Sequence, residues 1–299
     1  MKQRGILTRL HDFYSRHLAG VSFLVPAVFF FVMFSWWPIC WSVAISFQDY
    51  SINPNQPSSW VGLENYRYLF DDPNFYVAWR NVLMFVGLAL VIGYFIPVML
   101  AILINELRHV QGLFRLGYYL PAILPVVVIS LIWKYLYNPG PGGLFNTLLL
   151  PVGIGPVEWF FTDPMAIFSI VIMTTWRGAG STMIIYLAAL QGIPAQLYEA
   201  AEIDGASIWR RLWHITLPQL LPIMSIILIL QVIATFKVFA EPFIMTKNKT
   251  MVIMSYIYEK AFHSLNMGVA TAMSMTLFIV LVILSMFYFY MQRKVLSKF

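Results

Sequence analysis

The chain has 299 residues, of which 60% are hydrophobic and 11% are charged, and its formal net charge is +6. Soluble domains carry about 25% charged residues, so this composition excludes an ordinary soluble protein and indicates a membrane protein. A single cysteine, Cys40, excludes an intrachain disulfide and a thiolate metal site. The basic residues lie near the chain ends and in polar segments, a pattern that indicates lipid headgroups and not nucleic acid.

Apolar runs long enough to cross a bilayer recur along the chain. A spanning helix needs roughly 20 predominantly apolar residues. Residues 1–18 form a basic leader, 19–291 a membrane domain and 292–299 a basic tail. The domain is therefore predicted to be all-α with six transmembrane helices. The six predicted spans are at about 21–47, 82–104, 115–137, 166–190, 218–240 and 269–291.

The distribution of Lys and Arg predicts the orientation of the spans. With the N-terminus in the cytoplasm, the segments on that side hold 11 Lys and Arg residues in 65 positions, whereas the external segments hold 5 in 90. Cytoplasmic segments of membrane proteins carry the excess of basic residues. Both termini are therefore expected in the cytoplasm. The cytoplasmic segments are 1–18, 105–116, 191–217 and 292–299.

Spans four and five carry polar residues at a depth where lipid would surround them. Arg177 lies about a dozen residues into span four, with small residues on both sides. Ionisable groups at such depth are costly and indicate function. In span five, Gln231 and Thr235 are four residues apart and share a helix face. The polar residues at this depth predict part of a substrate path, made of Thr174, Arg177, Ser181, Gln231 and Thr235.

A second interpretation of the same residues stays open. Gly178 and Gly180 can be contacts between packed helices. Arg177 can pair with an acid such as Glu241 or with one on a partner subunit. Lys134 and Lys237, near the external ends of their spans, either face the same cavity as Arg177 or extend their ammonium groups toward water.

The polar segment 191–217 predicts a sharp turn between two helices. Residues 195–204 have the pattern of a helix of about three turns, with Pro194 at its start. Gly205 follows where a left-handed C-terminal cap requires glycine. Ser207 is a suitable cap for a second helix over 208–215, and Pro218 is expected to open the next span. The segment therefore predicts a helix–glycine–helix elbow, formed by residues 195–215, that stands clear of the membrane.

The elbow carries a motif with fixed spacing. Glu199-Ala200-Ala201, Gly205, Ile215 and Leu217-Pro218 resemble the signature loop of ABC importer permeases, and every spacing of that motif is met. The flanking residues 188–194 and 204–206 resemble the carbohydrate-uptake branch, of the maltose and sn-glycerol-3-phosphate type. The resemblance covers roughly residues 60 to 290. It implies that Trp176 and Gly178, which match in type the sugar-binding segments of maltose-type permeases, also belong to the substrate path. One departure is Thr246-Lys247-Asn248-Lys249-Thr250, which stands where the family has a glycine-rich turn.

The resemblance implies a type I ABC importer permease in a bacterial or archaeal cytoplasmic membrane. It implies a heterodimer with a second permease subunit, two ATPase subunits and an extracytoplasmic solute-binding protein. The elbow would be a coupling helix in a groove of an ATPase. External segments 48–81 and 138–165 are either solvated loops or a landing surface for the binding protein. The predicted coupling residues are Tyr198, Glu199, Ala200, Ala201, Asp204, Gly205 and Ile208, with Tyr198 and Ile208 as apolar anchors. Asp204 can instead be a solvated or capping acid.

The sequence lacks the motifs that would make this chain an enzyme. There is no G-x-x-x-x-G-K-[ST], no H-E-x-x-H and no G-x-S-x-G. The five histidines never fall three or four residues apart, so no helical pair of metal ligands exists. We therefore expect no catalytic residue, cofactor or metal on this chain. ATP and Mg²⁺ are expected on the partner ATPase.

The predicted function is one half of the translocation path for a sugar or oligosaccharide, driven by ATP. An alternative is an importer of an anionic ligand, a uronate oligosaccharide or a glycerophosphodiester, if Arg177, Lys237 and Lys134 face one cavity. A further alternative is a secondary transporter coupled to Na⁺ or H⁺. The near absence of acidic residues at depth in the spans argues against ion coupling.

Overall fold

The computed structural model of the chain describes residues 20, 22–53, 55, 57–107, 110–140 and 142–296. The predicted basic leader 1–18 and the last three residues of the predicted tail lie outside these described residues. The described chain divides into two compact units. The first unit runs to Leu69 and also includes Lys260–Thr276; the second comprises Phe70–Glu259 and the residues from Leu277 onward.

The described part of the chain is mainly helical, as the composition predicts. One antiparallel pair of short strands, β1 (Gln48–Asp49) and β2 (Ser59–Trp60), joins Gln48 to Trp60 in register. π-Helical segments of five residues lie at Val32–Trp36, Ala89–Gly93, Leu212–Thr216 and Glu259–His263. The first three lie inside longer helices. A 3₁₀ turn lies at Leu150–Val152. The α-helices are α1 (Ser22–Ser46), α2 (Glu64–Asp71), α3 (Pro73–Glu106), α4 (Gln111–Ile123), α5 (Val126–Leu136), α6 (Leu144–Leu149), α7 (Asp163–Gln191), α8 (Ala195–Ile203), α9 (Ile208–Phe236), α10 (Ala240–Met245), α11 (Ile253–Tyr258) and α12 (Met267–Leu296).

Four helices of the described chain are long and apolar enough to cross a membrane. These are α1, α3, α9 and the Met267–Arg293 part of α12, and the bent pair α4 and α5 makes a fifth if it counts as one span. Helix α7, at the predicted fourth span, has 29 residues and is about 43 Å long. It is not among the four, since its middle carries the polar stretch 174–182. The count of six spans stays a prediction.

The run predicted as span three is two helices and not one. Helices α4 and α5 meet at an angle of 97°. Leu124 at the break is extended, with φ −69° and ψ 141°, and Pro125 follows with ψ 135°. A residue before proline is sterically disfavoured in the helical region, which accounts for the break.

Helix α9 begins ten residues earlier than the predicted fifth span. Pro218 does not open the span: the elbow's second helix, predicted over 208–215, continues into it without a break. A proline inside an α-helix clashes with the carbonyl four residues before it. Here the π segment Leu212–Thr216 lies immediately ahead, and the Leu217 N–H donates to the Leu212 carbonyl, five residues back. This wider turn accommodates the proline within a continuous helix.

The core of the second unit contains two apolar clusters. Along α3 the buried Phe85 belongs to one cluster and Tyr94 to the other. Along α7 Met173 belongs to the first and Met183 to the second. On α7 the residues between these positions are the predicted polar stretch, and on α3 they include two glycines, Gly87 and Gly93. Apolar packing on both sides therefore holds the middle of α3 and α7 in place.

The first unit is organised around the buried amide of Asn65. Its Nδ2 donates to the carbonyls of Ser46 at 3.0 Å and Gln48 at 2.9 Å. The Tyr66 hydroxyl donates to Ser46 Oγ at 2.9 Å. A side chain at Gly268 would collide with the Gln48 carbonyl and the Asn65 amide. These contacts join the C-terminal end of α1, the start of α2 and the start of α12.

Candidate functional site

Gly205 forms the turn of the elbow. Its φ of +71° lies in the left-handed region, as the sequence predicts. The Gly205 N–H donates to the Glu202 carbonyl at 3.0 Å, and the Ala206 N–H donates to the Ala201 carbonyl at 2.8 Å. This pair of bonds is the Schellman motif that ends a helix in which glycine follows the cap residue. Helix α8 therefore stops at a defined point and the chain reverses.

Two side-chain contacts join the two arms of the elbow, and a third caps the second arm. Ser207 Oγ accepts from the Arg210 N–H and caps α9, as predicted. The Tyr198 hydroxyl on α8 is 3.0 Å from Thr216 Oγ1 on α9. The carboxylate of Glu202 is 3.6 Å from the guanidinium of Arg211. The cap bond is 3.4 Å long and local, whereas the Tyr198–Thr216 bond joins residues 18 positions apart. The ion pair, with Glu202 76% exposed, contributes about 1 kcal/mol or less.

The outer surface of the elbow combines acids with isolated apolar side chains. Ile203 is 87% exposed and Ile208 is 75% exposed. Tyr198 differs from the other predicted coupling residues, because it is half-buried and its hydroxyl faces Thr216 within the elbow. Ala201 is also half-buried. The predicted coupling residues that are exposed are Glu199, Ala200, Asp204, Gly205 and Ile208.

A cavity of about 470 Å³ lies between the two apolar clusters of the second unit. Helices α3, α7 and α9 line it, together with the segment after α9. Four of the seven predicted path residues line this cavity: Thr174, Gly178, Gln231 and Thr235. The structure thus brings together the polar residues of the predicted fourth and fifth spans.

A π segment on α3 gives the cavity a polar wall. Gln231 Nε2 donates to the Ala89 carbonyl at 2.7 Å, at the start of the π segment Ala89–Gly93. A Cβ at Gly93 would lie 2.8 Å from Gln231 Nε2 and 3.1 Å from Thr175 Oγ1. The missing side chain at Gly93 therefore lets polar groups from α7 and α9 approach the backbone of α3. Three helices share this corner.

Charged side chains also lie at the cavity wall and beside it. Arg177 Nη1 is 3.7 Å from Glu241 Oε1, and the two side chains are 31% and 13% exposed. Glu241 lines the cavity, as does the exposed Lys237. Lys134 Nζ instead donates to the Ile244 carbonyl at 2.8 Å and does not line this cavity. Of the three cations considered from the sequence, only Lys237 is a cavity-lining residue.

The two glycines of α7 have different roles. A Cβ at Gly180 would collide with the Tyr118 carbonyl and the Tyr119 nitrogen on α4, so Gly180 is a helix-packing contact. At Gly178 nothing lies within 4 Å of the Cβ position, and the residue lines the cavity. The packing interpretation therefore holds for Gly180 and the cavity interpretation for Gly178.

Residues 93–297 match the family described as "Binding-protein-dependent transport system inner membrane component". The chain belongs to this family. With several apolar helices, the permease is a multi-pass membrane protein and a transport component of an ABC system, not an enzyme.

Relatives and solved structures align with nearly the whole permease. The arabinooligosaccharides transport system permease protein AraP of Bacillus subtilis is 32% identical over 280 residues, which cover 92% of this chain and 88% of AraP. The lactose transport system permease protein LacF of Rhizobium radiobacter is 32% identical over 303 residues, with 97% and 98% covered. The permease is similar to a chain in the crystal structure of a bacterial ABC transporter involved in the import of the acidic polysaccharide alginate. The TM-score is 0.84 and the sequence identity 26%, and the alignment covers 96% of this chain and 99% of that chain. A structure of the bacterial alginate transporter bound to an alginate pentasaccharide-bound periplasmic protein gives TM-score 0.83, 26% identity and coverage of 96% and 98%.

Three predicted path residues do not line the permease's cavity. Trp176 packs against Trp133 with the two rings tilted and their centroids 5.4 Å apart. Ser181 Oγ donates to the Gly178 carbonyl at 2.8 Å. Arg177 is engaged with Glu241 beside the cavity.

Sequence reasoning missed several cavity residues of the permease. Thr175 and Thr182 lie in the polar stretch of α7 and line the cavity, although they are not among the seven predicted path residues. Ala89 and Gly93 on α3 have no polar side chain, so the residue types alone do not indicate that they line a polar cavity. The usable signal was Gly93 followed by Pro97, since neither residue favours the interior of a helix.

Proposed function

We propose that the permease forms half of the translocation path of an ATP-driven importer for a sugar or oligosaccharide. Support comes from the cavity, whose wall carries hydroxyl and amide groups inside an otherwise apolar bundle. Such a lining suits a ligand with many hydroxyl groups, because each hydroxyl removed from water needs a hydrogen-bond partner. The names of AraP and LacF, both permeases for sugars, support the same ligand class.

We infer that the elbow transmits motion from an ATPase subunit to the spans. Ile203 and Ile208 are exposed enough to enter a groove on a partner, and Glu199 is exposed beside them. A charge-assisted bond from Glu199 to a partner arginine would contribute about 1.5–3 kcal/mol. The continuity of the second arm with α9 supports transmission, since a rigid helix carries displacement along its axis. A second permease and two ATPases complete the proposed assembly, in which rigid-body rocking alternates access.

The excess of Lys and Arg on the elbow side supports a cytoplasmic elbow and cytoplasmic termini, in a bacterial or archaeal cytoplasmic membrane. A soluble binding protein would deliver the ligand on the other side. The alginate transporter bound to its periplasmic protein supports such a partner.

The charges around the cavity favour a neutral ligand over an anionic one. Arg177 is paired with Glu241, and Lys134 binds a carbonyl outside the cavity. Among the described residues that line the cavity, Lys237 is the one cation that a uronate carboxylate would meet, and the Glu241 carboxylate lies on the same wall. The negative charge of Glu241 would repel an anionic ligand and disfavour its binding.

Uptake by the reconstituted complex tests this proposal. Proteoliposomes containing both permeases and the ATPases, with the binding protein added outside, are supplied with ATP and labelled arabino-oligosaccharide, lactose or alginate oligosaccharide. We expect uptake of a neutral sugar that requires ATP and the binding protein and persists when ionophores collapse the Na⁺ and H⁺ gradients. Uptake that follows an ion gradient without ATP would refute the proposed energy source. Uptake of the alginate oligosaccharide alone would refute the neutral ligand.

A further inference from the structure

Helix α9 exposes apolar side chains along the span and two tryptophans at its N-terminal end. Leu221, Ile226 and Leu230 are 48%, 43% and 58% exposed. At the N-terminal end of the same helix, Trp213 is 63% exposed and Trp209 is 71% exposed. The two tryptophans are four residues apart and therefore lie on one side of the helix. We name them the tryptophan pair.

The length of α9 places the tryptophan pair at headgroup depth. At 1.5 Å per residue, Trp213 lies about 34 Å and Trp209 about 40 Å along the helix from its last residue, Phe236. The hydrocarbon core of a bilayer is about 30 Å thick, and the polar regions bring it to about 40–45 Å. With Phe236 at one boundary of the core, the opposite headgroup layer covers distances of about 30–37 Å from it. A helix tilted by about 20° therefore places Trp213 inside that layer and Trp209 at its outer edge.

The chemistry of this end of α9 matches an interface between lipid and water. Tryptophan is enriched at that level because its ring is apolar and its N–H can hydrogen-bond to headgroups. The neighbouring Arg210 is exposed, and its guanidinium has no carboxylate partner among the residues that the structure describes. Arg211, in contrast, faces Glu202 within the elbow. A cation held beside the tryptophans attracts anionic headgroups.

We propose that the tryptophan pair and Arg210 bind the lipid headgroup layer and hold the second arm of the elbow in the membrane interface. The elbow then does not stand clear of the membrane as a whole: only α8, the turn and Ile208 at the start of α9 project from it. The lipid-binding side is distinct from Ile203 at the end of α8, an anchor of the proposed ATPase contact. The second arm of the elbow is therefore held in lipid beyond Ile208, whereas α8 and the turn are free to contact a partner protein. This inference rests on the membrane location of the family and not on the identity of the ligand.

Tryptophan fluorescence in the complete transporter tests the proposal. The complex is reconstituted in nanodiscs of ordinary phospholipid or of phospholipid brominated near the glycerol end of its acyl chains. The wild type is compared with the double variant Trp209→Phe and Trp213→Phe, and with Trp60→Phe, which removes a 65% exposed tryptophan on a two-residue strand. We expect brominated lipid to remove the fluorescence difference between wild type and the double variant. Acrylamide in the aqueous phase should not quench the fluorescence of the tryptophan pair, with or without bound ATPase.

Two results would overturn the proposal. One is a fluorescence difference for the tryptophan pair that brominated lipid leaves unchanged and acrylamide quenches. The other is protection from acrylamide only when the ATPase is bound, which would assign the pair to a protein contact. The single variants Trp209→Phe and Trp213→Phe provide the same measurement if the double variant does not assemble.

The part played by Arg210 is tested by placing the bromine on one lipid class at a time. In mixed nanodiscs we expect brominated phosphatidylglycerol to quench the tryptophan pair more than brominated phosphatidylcholine does at equal content. Arg210→Gln should abolish that excess and leave the total quenching by a fully brominated mixture unchanged. Equal quenching by both brominated lipids in the wild type would refute the anionic headgroup contact.

Discussion

Arg177 in the middle of α7 is paired with Glu241 on the short helix α10, with 3.7 Å between Nη1 and Oε1. The other end of α10 is held by Lys134 on α5, whose Nζ donates to the Ile244 carbonyl at 2.8 Å. Cations from two different helices thus hold both ends of a six-residue helix. The costly cation at depth in α7 is compensated by an acid that lies 64 positions away in the sequence.

Removal of the Glu241 charge should destabilise the permease. In Glu241→Gln the guanidinium of Arg177 stays partly buried without its counter-ion, so we expect a loss of about 1–2 kcal/mol, between the values for exposed and buried pairs. The measurement is the thermal unfolding midpoint in nanodiscs. Glu202→Gln is the matched control, because its pair with Arg211 has a similar distance, 3.6 Å, but the carboxylate is 76% exposed. Equal midpoints for the two variants would show that the Arg177–Glu241 pair adds nothing to stability.

Substitution of Gly205 should weaken coupling to the ATPase. A side chain at φ +71° is strained by about 1–2 kcal/mol, and Gly205→Ala should distort the turn that joins the elbow arms. We expect less ATPase to co-purify with the permease and a lower ATP-driven uptake. Gly153→Ala is the control, since its φ is +78°, nothing lies within 4 Å of its Cβ position, and it also ends a helical turn. If both variants bind the ATPase like the wild type, the coupling role of the elbow is wrong.

Gly178 and Gly180 should respond in opposite directions to alanine. Gly180→Ala places a methyl group against the backbone of α4 at Tyr118, which cannot move aside as a side chain can, and should destabilise by about 1–3 kcal/mol. Gly178→Ala meets open space within α7 and should gain about 0.5–1 kcal/mol from helix propensity. Thermal midpoints of the two variants give the comparison. A lower midpoint for Gly178→Ala would mean that this position is packed and does not face a cavity.

The elbow could be predicted in detail because its chemistry is local. A left-handed glycine, a serine cap and a helix of three turns depend on neighbours within a few residues, and Gly205 and Ser207 are found as predicted. The end of the second arm could not be predicted in the same way. Pro218 is a helix breaker by propensity, but the π segment Leu212–Thr216 lets the helix continue. Whether such a segment forms depends on packing along the whole span.

The cavity was partly predictable for a different reason. Polar residues in an apolar helix identify its functional face, and the spacing of Gln231 and Thr235 placed them on one side. The contribution of α3 was hidden, because it consists of the Ala89 carbonyl and the missing side chain of Gly93. Trp176 was assigned to the path by its type, but it packs near Trp133. The direction of a large ring in a helix depends on its tertiary neighbours.

Tyr198 and Thr216 should act together to keep the elbow rigid. Their hydroxyl groups are 3.0 Å apart, and Thr216 is 6% exposed, so either Tyr198→Phe or Thr216→Val removes a largely buried bond worth about 0.5–1.5 kcal/mol. We expect faster amide hydrogen exchange in α8 in each single variant, with the permease otherwise folded. The double variant should exchange no faster than the faster single variant, because both changes break the same bond. Additive increases would show that the two hydroxyls act independently and that the bond does not join the arms of the elbow.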